Sequence, residues 1–259
     1  MKTRCTPAAL AFLAAAGLTF AEQVPTTKLY KDLADRNRYP AAEGLTSAQA
    51  DAKCNIMEQL VAAFPDAAGK PIAVKFYWSR PSAEAAPQMK FVISGIPENL
   101  TDLSNRANTV FQRATEFVVA SPIYWTFEQT AVTADDAAGK ITVTGAPKDA
   151  GAQIKGLTAE VDGATMQVKT MTLDLGQAKI GFDMTYEDLG GKWGLDNYTI
   201  SFPQYKQVLN FEYAQVESFW LPSKLTLELQ GPDGKPLEPT SIYEFSNWQV
   251  NKEIPAGVF

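Results

Sequence analysis

Proton transfer, metal binding and nucleophilic attack each need particular side chains, and this sequence is short of them. It contains no histidine. That removes Ser-His-Asp and Cys-His catalysis and every imidazole-ligated metal or haem site. Its 29 carboxylates could supply the acid and base of a glycoside hydrolase. The candidates, Asp183, Glu187 and Asp188, fall on the polar phase of an alternating stretch or in a turn, and in so acidic a chain such neighbours arise by chance. Asp135-Asp136 and Asp233-Gly234 offer oxygen ligands for calcium, yet both read better as turns, where Asp serves the backbone. No CxxC, HExxH, GxSxG or glycine-rich phosphate loop occurs. The sequence therefore predicts no catalytic residue, no metal site and no cofactor.

The chain has 259 residues and a formal net charge of −6. Such a charge repels phosphate backbones and anionic bilayers, so no nucleic-acid partner is expected. Residues 1–21 carry Lys2 and Arg4 ahead of an apolar run from Ala8 to Phe20, with Thr19 and Ala21 before a cut at Glu22. This is the pattern of a cleaved signal peptide. The run of 13 residues falls short of the roughly 20 that a membrane span needs. The mature chain is thus expected to be exported, with no transmembrane segment. Cleavage leaves 21 basic against 29 acidic residues, a net charge of −8. It leaves one cysteine, Cys54, which cannot form an internal disulfide and reads as a small buried hydrophobe.

Residues 22–45 are polar and irregular, with Pro25, Pro40 and Gly44, and read as an extended arm. Residues 46–259 read as one domain. Thr46 and Gln49 have capping-box spacing, and Ile56, Met57, Leu60, Val61 and Phe64 share a face, which predicts a helix over 46–64. Leu103, Ala107, Val110, Phe111, Ala114, Phe117 and Val118 predict a second helix over 102–119, ended by Pro122. Two strands, 72–79 and 88–94, lie between them. From Ile123 onward the apolar period is two, beginning with Trp125 and Phe127, with a strong turn at Asp162-Gly163 and a phase slip near Thr170. The fold class is α+β and mostly β. It is a curled antiparallel sheet of about eleven strands, an open or half barrel, with two amphipathic helices as lid or filler.

Eleven strands about 4.8 Å apart give a sheet roughly 50 Å wide, one face of which is on the order of 1,200 Å². Two helices of about 19 residues cover on the order of 560 Å². The remainder must curl, close, or leave an apolar concavity, and an uncovered patch of that size marks an interaction site. The competing reading is a core filled by its own aromatics, with Trp125, Phe127, Phe182, Tyr186, Phe211 and Trp248 available for it.

Several stretches resemble the LolA-like superfamily of periplasmic lipoprotein carriers and sorting proteins. Phe211-Glu212-Tyr213 through Phe219-Trp220-Leu221-Pro222-Ser223-Lys224-Leu225 is similar to its strand, turn and strand unit. Tyr243 to Asn251, followed by Ile254-Pro255 and Phe259, is similar to its closing strand, and Tyr186 to Trp193 to the hairpin before it. The match covers roughly residues 124–259. Arg80-Pro81 resembles an early dipeptide of the carrier, but the Arg-Trp that should follow closely is replaced by Met89-Lys90-Phe91. The resemblance implies an open barrel with a helical lid over an apolar cavity that accepts acyl chains.

Together these readings predict an exported, non-enzymatic carrier or binder of acyl chains, from lipoprotein or lipid, in the periplasm. The cavity residues would be Trp125, Phe127, Phe182, Met184, Phe211, Leu225 and Leu227, with Val110, Phe111 and Phe117 from the lid. An envelope protein is a further candidate partner. The alternatives are a regulatory or protein-interaction module with a filled core, and a carboxylate-dependent hydrolase of polysaccharide.

Overall fold

Alternation of small and apolar residues with polar ones builds a single long sheet. The computed structural model describes residues 21–67, 69, 71–82 and 85–259. The expected signal peptide, with Lys2, Arg4 and Cys5, lies outside the described residues apart from Ala21. In chain order the elements begin with β1 (Glu22–Gln23), α1 (Thr26–Arg36), β2 (Ser47–Cys54), α2 (Asn55–Ala62), β3 (Ala73–Ser79), β4 (Gln88–Ser94), α3 (Thr101–Gln112) and α4 (Tyr124–Phe127). A meander follows: β5 (Thr130–Ala137), β6 (Lys140–Pro147), β7 (Gly156–Asp162), β8 (Gln167–Asp174), β9 (Lys179–Asp188), β10 (Trp193–Ser201), β11 (Lys206–Val216), β12 (Phe219–Gln230) and β13 (Ser241–Val250).

All 13 strands form one antiparallel sheet in the order β1-β5-β6-β7-β8-β9-β10-β11-β12-β13-β2-β3-β4. Its ends, β1 and β4, do not pair, so the barrel stays open. The β7–β8 pairing shifts between Glu160 and Val161, opposite Thr170 and Val168. This is the bulge expected from the phase slip. The β7–β8 loop is held by the Asp162 carboxylate, which accepts the Ala164 and Thr165 N–H groups at 3.0 and 2.9 Å. The two calcium candidates also serve turns: Asp136 accepts the Gly139 N–H at 2.9 Å and Asp233 that of Lys235 at 3.2 Å.

Four local expectations are corrected. The helix expected over 46–64 is a strand, β2, followed by the shorter α2. Ala48, Ala50, Ala52 and Cys54 are buried while Ser47, Gln49, Asp51 and Lys53 are not, a period of two written in residues too small to declare it. Pairing with β13 and β3 decides the conformation. Thr46 caps no helix there; its N–H and hydroxyl both donate to the Asn251 side chain, at 2.8 and 3.0 Å.

The arm over 22–45 contains α1. Leu29 and Leu33, one turn apart, are fully buried, and the helix packs against β5. Its polar face carries Lys28–Asp32 and Lys31–Asp35 ion pairs. Trp125 and Phe127 stand on the helical turn α4, not on a strand. Pro122 supplies a pre-set φ for helix entry, and its carbonyl accepts the Trp125 N–H at 3.0 Å. The helix expected over 102–119 ends at Gln112 and continues as a 3-10 turn, Thr115–Phe117. Thr101 lies inside its first turn, and no side chain caps it.

The inner face of the sheet is covered in three parts. Over β13, β2, β3 and β4 lie α2 and α3, and an aromatic cluster of Phe76, Phe91, Phe111, Phe245 and Trp248 fills the space. The Tyr243 hydroxyl donates to the Val110 carbonyl at 2.7 Å, which fastens α3 to this floor. At the other end α1 covers β5. Between these two, over β9–β11, the chain from residue 115 to 129 forms a roof.

Candidate functional site

The central strands aim their side chains at the roof because two irregularities keep their phase. On β9, Phe182, Met184 and Tyr186 alternate inward. On β10 the register shifts between Leu195 and Asn197. The extra residue, Asp196, lets Leu195 and Tyr198 share the inner face despite odd spacing. The β11–β12 pairing shifts in the same way between Glu212 and Tyr213.

Under the roof lies a cavity of about 390 Å³. Its floor is Met184 and Tyr186 from β9, Leu195 and Tyr198 from β10, and Phe211 from β11. Phe117, Ile123 and Trp125 form its roof, Tyr39 closes one end, and Met89 reaches it from the opposite edge strand, β4. On the far side of Phe117 an open groove of about 520 Å³ is lined by Ile180, Phe182, Ile200, Phe202 and Leu229, together with Arg113 and Gln207.

Four of the expected residues, Trp125, Met184, Phe211 and Phe117, meet in the cavity, and Phe117 also joins Phe182 in the groove beyond it. The others lie elsewhere. Phe127, Leu225 and Leu227 are at most 1% exposed and serve the packed core. Val110 borders a surface groove beside Leu60 and Glu238. Phe111 borders an apolar groove of about 500 Å³ with Cys54, Met57 and Val74. Cys54 is buried, and burial pushes its thiol up.

Sequence reasoning missed the tyrosines. Tyr39 fell in the supposed arm, and Tyr198 lies beyond the bulge, out of phase. Tyr186 was weighed only as core filler. The Tyr186 hydroxyl donates to the Val168 carbonyl at 3.0 Å, and that of Tyr39 hydrogen-bonds the Ile123 backbone. Two of the three hydroxyls are therefore engaged with backbone.

The roof is held by aromatic and polar contacts with early parts of the chain. Tyr124 stacks on Tyr30 with centroids 5.7 Å apart and meets Tyr39 edge-on at 6.0 Å. Arg80, just past β3, places its guanidinium 4.2 Å from the centre of the Trp125 ring and donates from Nε to the Ala85 carbonyl at 3.2 Å. The segment carrying Tyr39 is itself fastened to the β9–β10 turn. Arg38 donates to the Leu189 carbonyl from Nε at 2.9 Å and Nη2 at 2.7 Å, and pairs with Glu43 at 3.1 Å. Lys192 pairs with the same Glu43 at 2.9 Å.

Burial raises the phenol groups of Tyr39, Tyr186, Tyr198, Tyr213 and Tyr243 above their ordinary value. The folded pKa lies above that of the unfolded chain, about 10. The stabilisation is therefore complete below about pH 10 and is lost as pH rises toward the folded values. In an alkaline titration, tyrosinate absorbance from these five should lag behind that of exposed tyrosines, which titrate near about 10, and rise only together with loss of structure. A smooth non-cooperative rise near pH 10 would contradict their burial.

The carboxylates make no comparable site. Asp183 and Glu187 lie on the opposite face of β9, and Asp188 accepts the Gly191 N–H at 2.6 Å in the following turn. Burial first, then Asp196 and Glu212, raises Glu187. Among the described residues no three acidic or cysteine side chains are grouped to hold a metal, and no helix is long and apolar enough to cross a membrane.

Fold and site together define a class: an open antiparallel half barrel whose concave face carries a roofed apolar cavity. By sequence, no protein-family model and no curated protein matches the chain. By structure, it is similar to a LolA superfamily protein from Nitrosomonas europaea, at 8% identity and a TM-score of 0.31, over 90% of this chain and 96% of that one. It is also similar to an outer membrane lipoprotein-sorting protein domain from Vibrio parahaemolyticus, at 9% identity and a TM-score of 0.32, over 88% and 93% of the two chains. A DUF1329 family protein from Desulfovibrio piger matches at 10% identity and a TM-score of 0.34, over 89% and 95%.

Proposed function

We propose that the protein is an exported, non-enzymatic binder or carrier of acyl chains acting in the periplasm. The observation that carries this reading is the 390 Å³ cavity on the concave face, walled by Met184, Leu195, Phe211 and further aromatic side chains. An acyl chain entering it gains about 0.8 kcal/mol for each methylene removed from water. Exchange requires the roof to lift, which breaks the contacts of Tyr30 and Tyr39 with Tyr124, of Tyr39 with the Ile123 backbone, of Arg80 with Trp125 and of Phe117 with Tyr198, while the buried Phe127 holds the segment at its far end. The carrier-like residues from Phe211 to Leu225 and from Tyr243 to Phe259 support the same reading.

Dodecanoate added to delipidated protein should shift tryptophan emission, because Trp125 borders the cavity. Trp125→Phe should remove most of the shift while calorimetry still records binding. No spectral change and no heat of binding would end the proposal. A second reading is favoured by the filled ends of the concave face, where Leu225, Tyr243 and Phe76 are fully buried: a protein-interaction module whose cavity stays empty. Capture of an envelope protein with no lipid uptake would select it.

A further inference from the structure

We propose that the roofed cavity accepts one acyl chain at a time and that the Phe117 ring sets the length of chain it takes. The inference rests on the acyl-binding reading and narrows its ligand to a single-chain amphiphile whose polar end remains outside.

The volume sets the number of chains. At the ~30 Å³ that a water-sized group occupies, 390 Å³ holds about thirteen non-hydrogen atoms. A lipid anchor with two or three long chains has several times that number. The floor cannot retreat to admit it, because Met184 and Phe211 stand on central strands paired on both sides.

Phe117 sets the boundary. It lines both the 390 Å³ cavity and the 520 Å³ groove beyond it. Its ring meets Tyr198 edge-on at 6.2 Å, and Tyr198 stacks on Phe182 at 5.8 Å. Tyr198 and Phe182 belong to the sheet, whereas Phe117 hangs from a 3-10 turn of the roof. It is therefore the partition whose removal leaves the walls standing. Glu116 shares both rims and is exposed, so the ring of Phe117 is the apolar group that the two spaces have in common. Without the ring the space extends by 520 Å³, room for about seventeen further atoms.

The test is a chain-length series on the whole delipidated protein. The probes are saturated fatty acids of about eight to twenty carbons, the matching lysophosphatidylethanolamines, dipalmitoyl phosphatidylethanolamine and a synthetic triacylated lipopeptide. Affinity should rise about fourfold per methylene until the chain reaches about thirteen atoms, then level or fall. The two single-chain series should break at the same length, and a stronger series identifies the natural head group. In Phe117→Ala the break should move beyond about eighteen carbons. Should that variant not fold, Phe117→Leu must move the break in the same direction by fewer carbons.

Equal affinity for the triacylated lipopeptide overturns the single-chain inference and leaves acyl binding intact. So does a break that is absent, or that stays in place in a folded Phe117 variant. Failure of every probe to bind overturns the acyl reading itself, and this inference with it.

Discussion

Leu33→Asp is expected to cost about 4 kcal/mol or more of folding stability. Leu33 is fully buried where α1 meets the sheet, so the substitution both empties a packed site and places an unpaired carboxylate there. The residue also anchors the turn that follows: Asn37 donates from Nδ2 to the Leu33 carbonyl at 2.9 Å and to the Met166 carbonyl at 2.8 Å. Loss of α1 therefore releases the Tyr39 segment and one end of the cavity. Urea unfolding should show a lower midpoint, and binding of a hydrophobic dye should rise before the main transition. Leu33→Met should cost less than about 1.5 kcal/mol. Equal losses in the two variants would mean that neither the emptied volume nor the carboxylate matters at this position.

Arg38→Ala is expected to cost about 3 kcal/mol. The Arg38 and Glu43 side chains are only 17% and 13% exposed, so salt should screen this loss weakly. Removing the guanidinium strips the Leu189 carbonyl of two donors and leaves Glu43 to Lys192 alone. Arg38→Lys should recover less than half of the loss, because one ammonium cannot span the Leu189 and Gly190 carbonyls, the latter 3.1 Å from Nη2, and a carboxylate as the planar fork does. Glu43→Gln should be milder, since the bonds from Arg38 to Leu189 survive. Differential scanning calorimetry at two salt concentrations distinguishes these cases. Full recovery by lysine would assign Arg38 a purely coulombic role.

What the sequence disclosed follows from side-chain size. Strands whose inward positions are Phe, Met, Ile, Leu and Val, such as β9 and β12, declare their period. Strands with inward Ala or Thr do not. β2 presents Ala48, Ala50 and Ala52, and β5 presents Thr130 and Ala134, residues equally at home in a helix or a loop. The α1 helix has only Leu29 and Leu33 on its buried face, too few to outweigh its polar composition. That omission distorted the area argument. A third helix covers part of the apolar face, so the uncovered remainder shrinks to the stretch over β9–β11. There the expected residues Met184 and Phe211 do line a cavity, whereas Leu225 and Leu227 face a filled core. Alternation gives the side of the sheet on which a residue lies; what lies above it is decided by segments distant in the chain.

The strand order also bears on how the molecule comes together. Among the described residues β2, β3 and β4 pair only with one another and with β13, so a chain stopped before Ser241 leaves them as a detached three-stranded sheet with two unpaired margins. Joining β2 to β13 means closing a loop from Cys54 to Ser241, most of the polypeptide, an entropic cost that slows assembly and defers it to the last step. Until those final residues arrive, the concave face is unfinished at the end that carries the aromatic cluster. Acquisition of structure should therefore wait on β13, with the interval before its pairing the time of greatest exposure to proteases and aggregation.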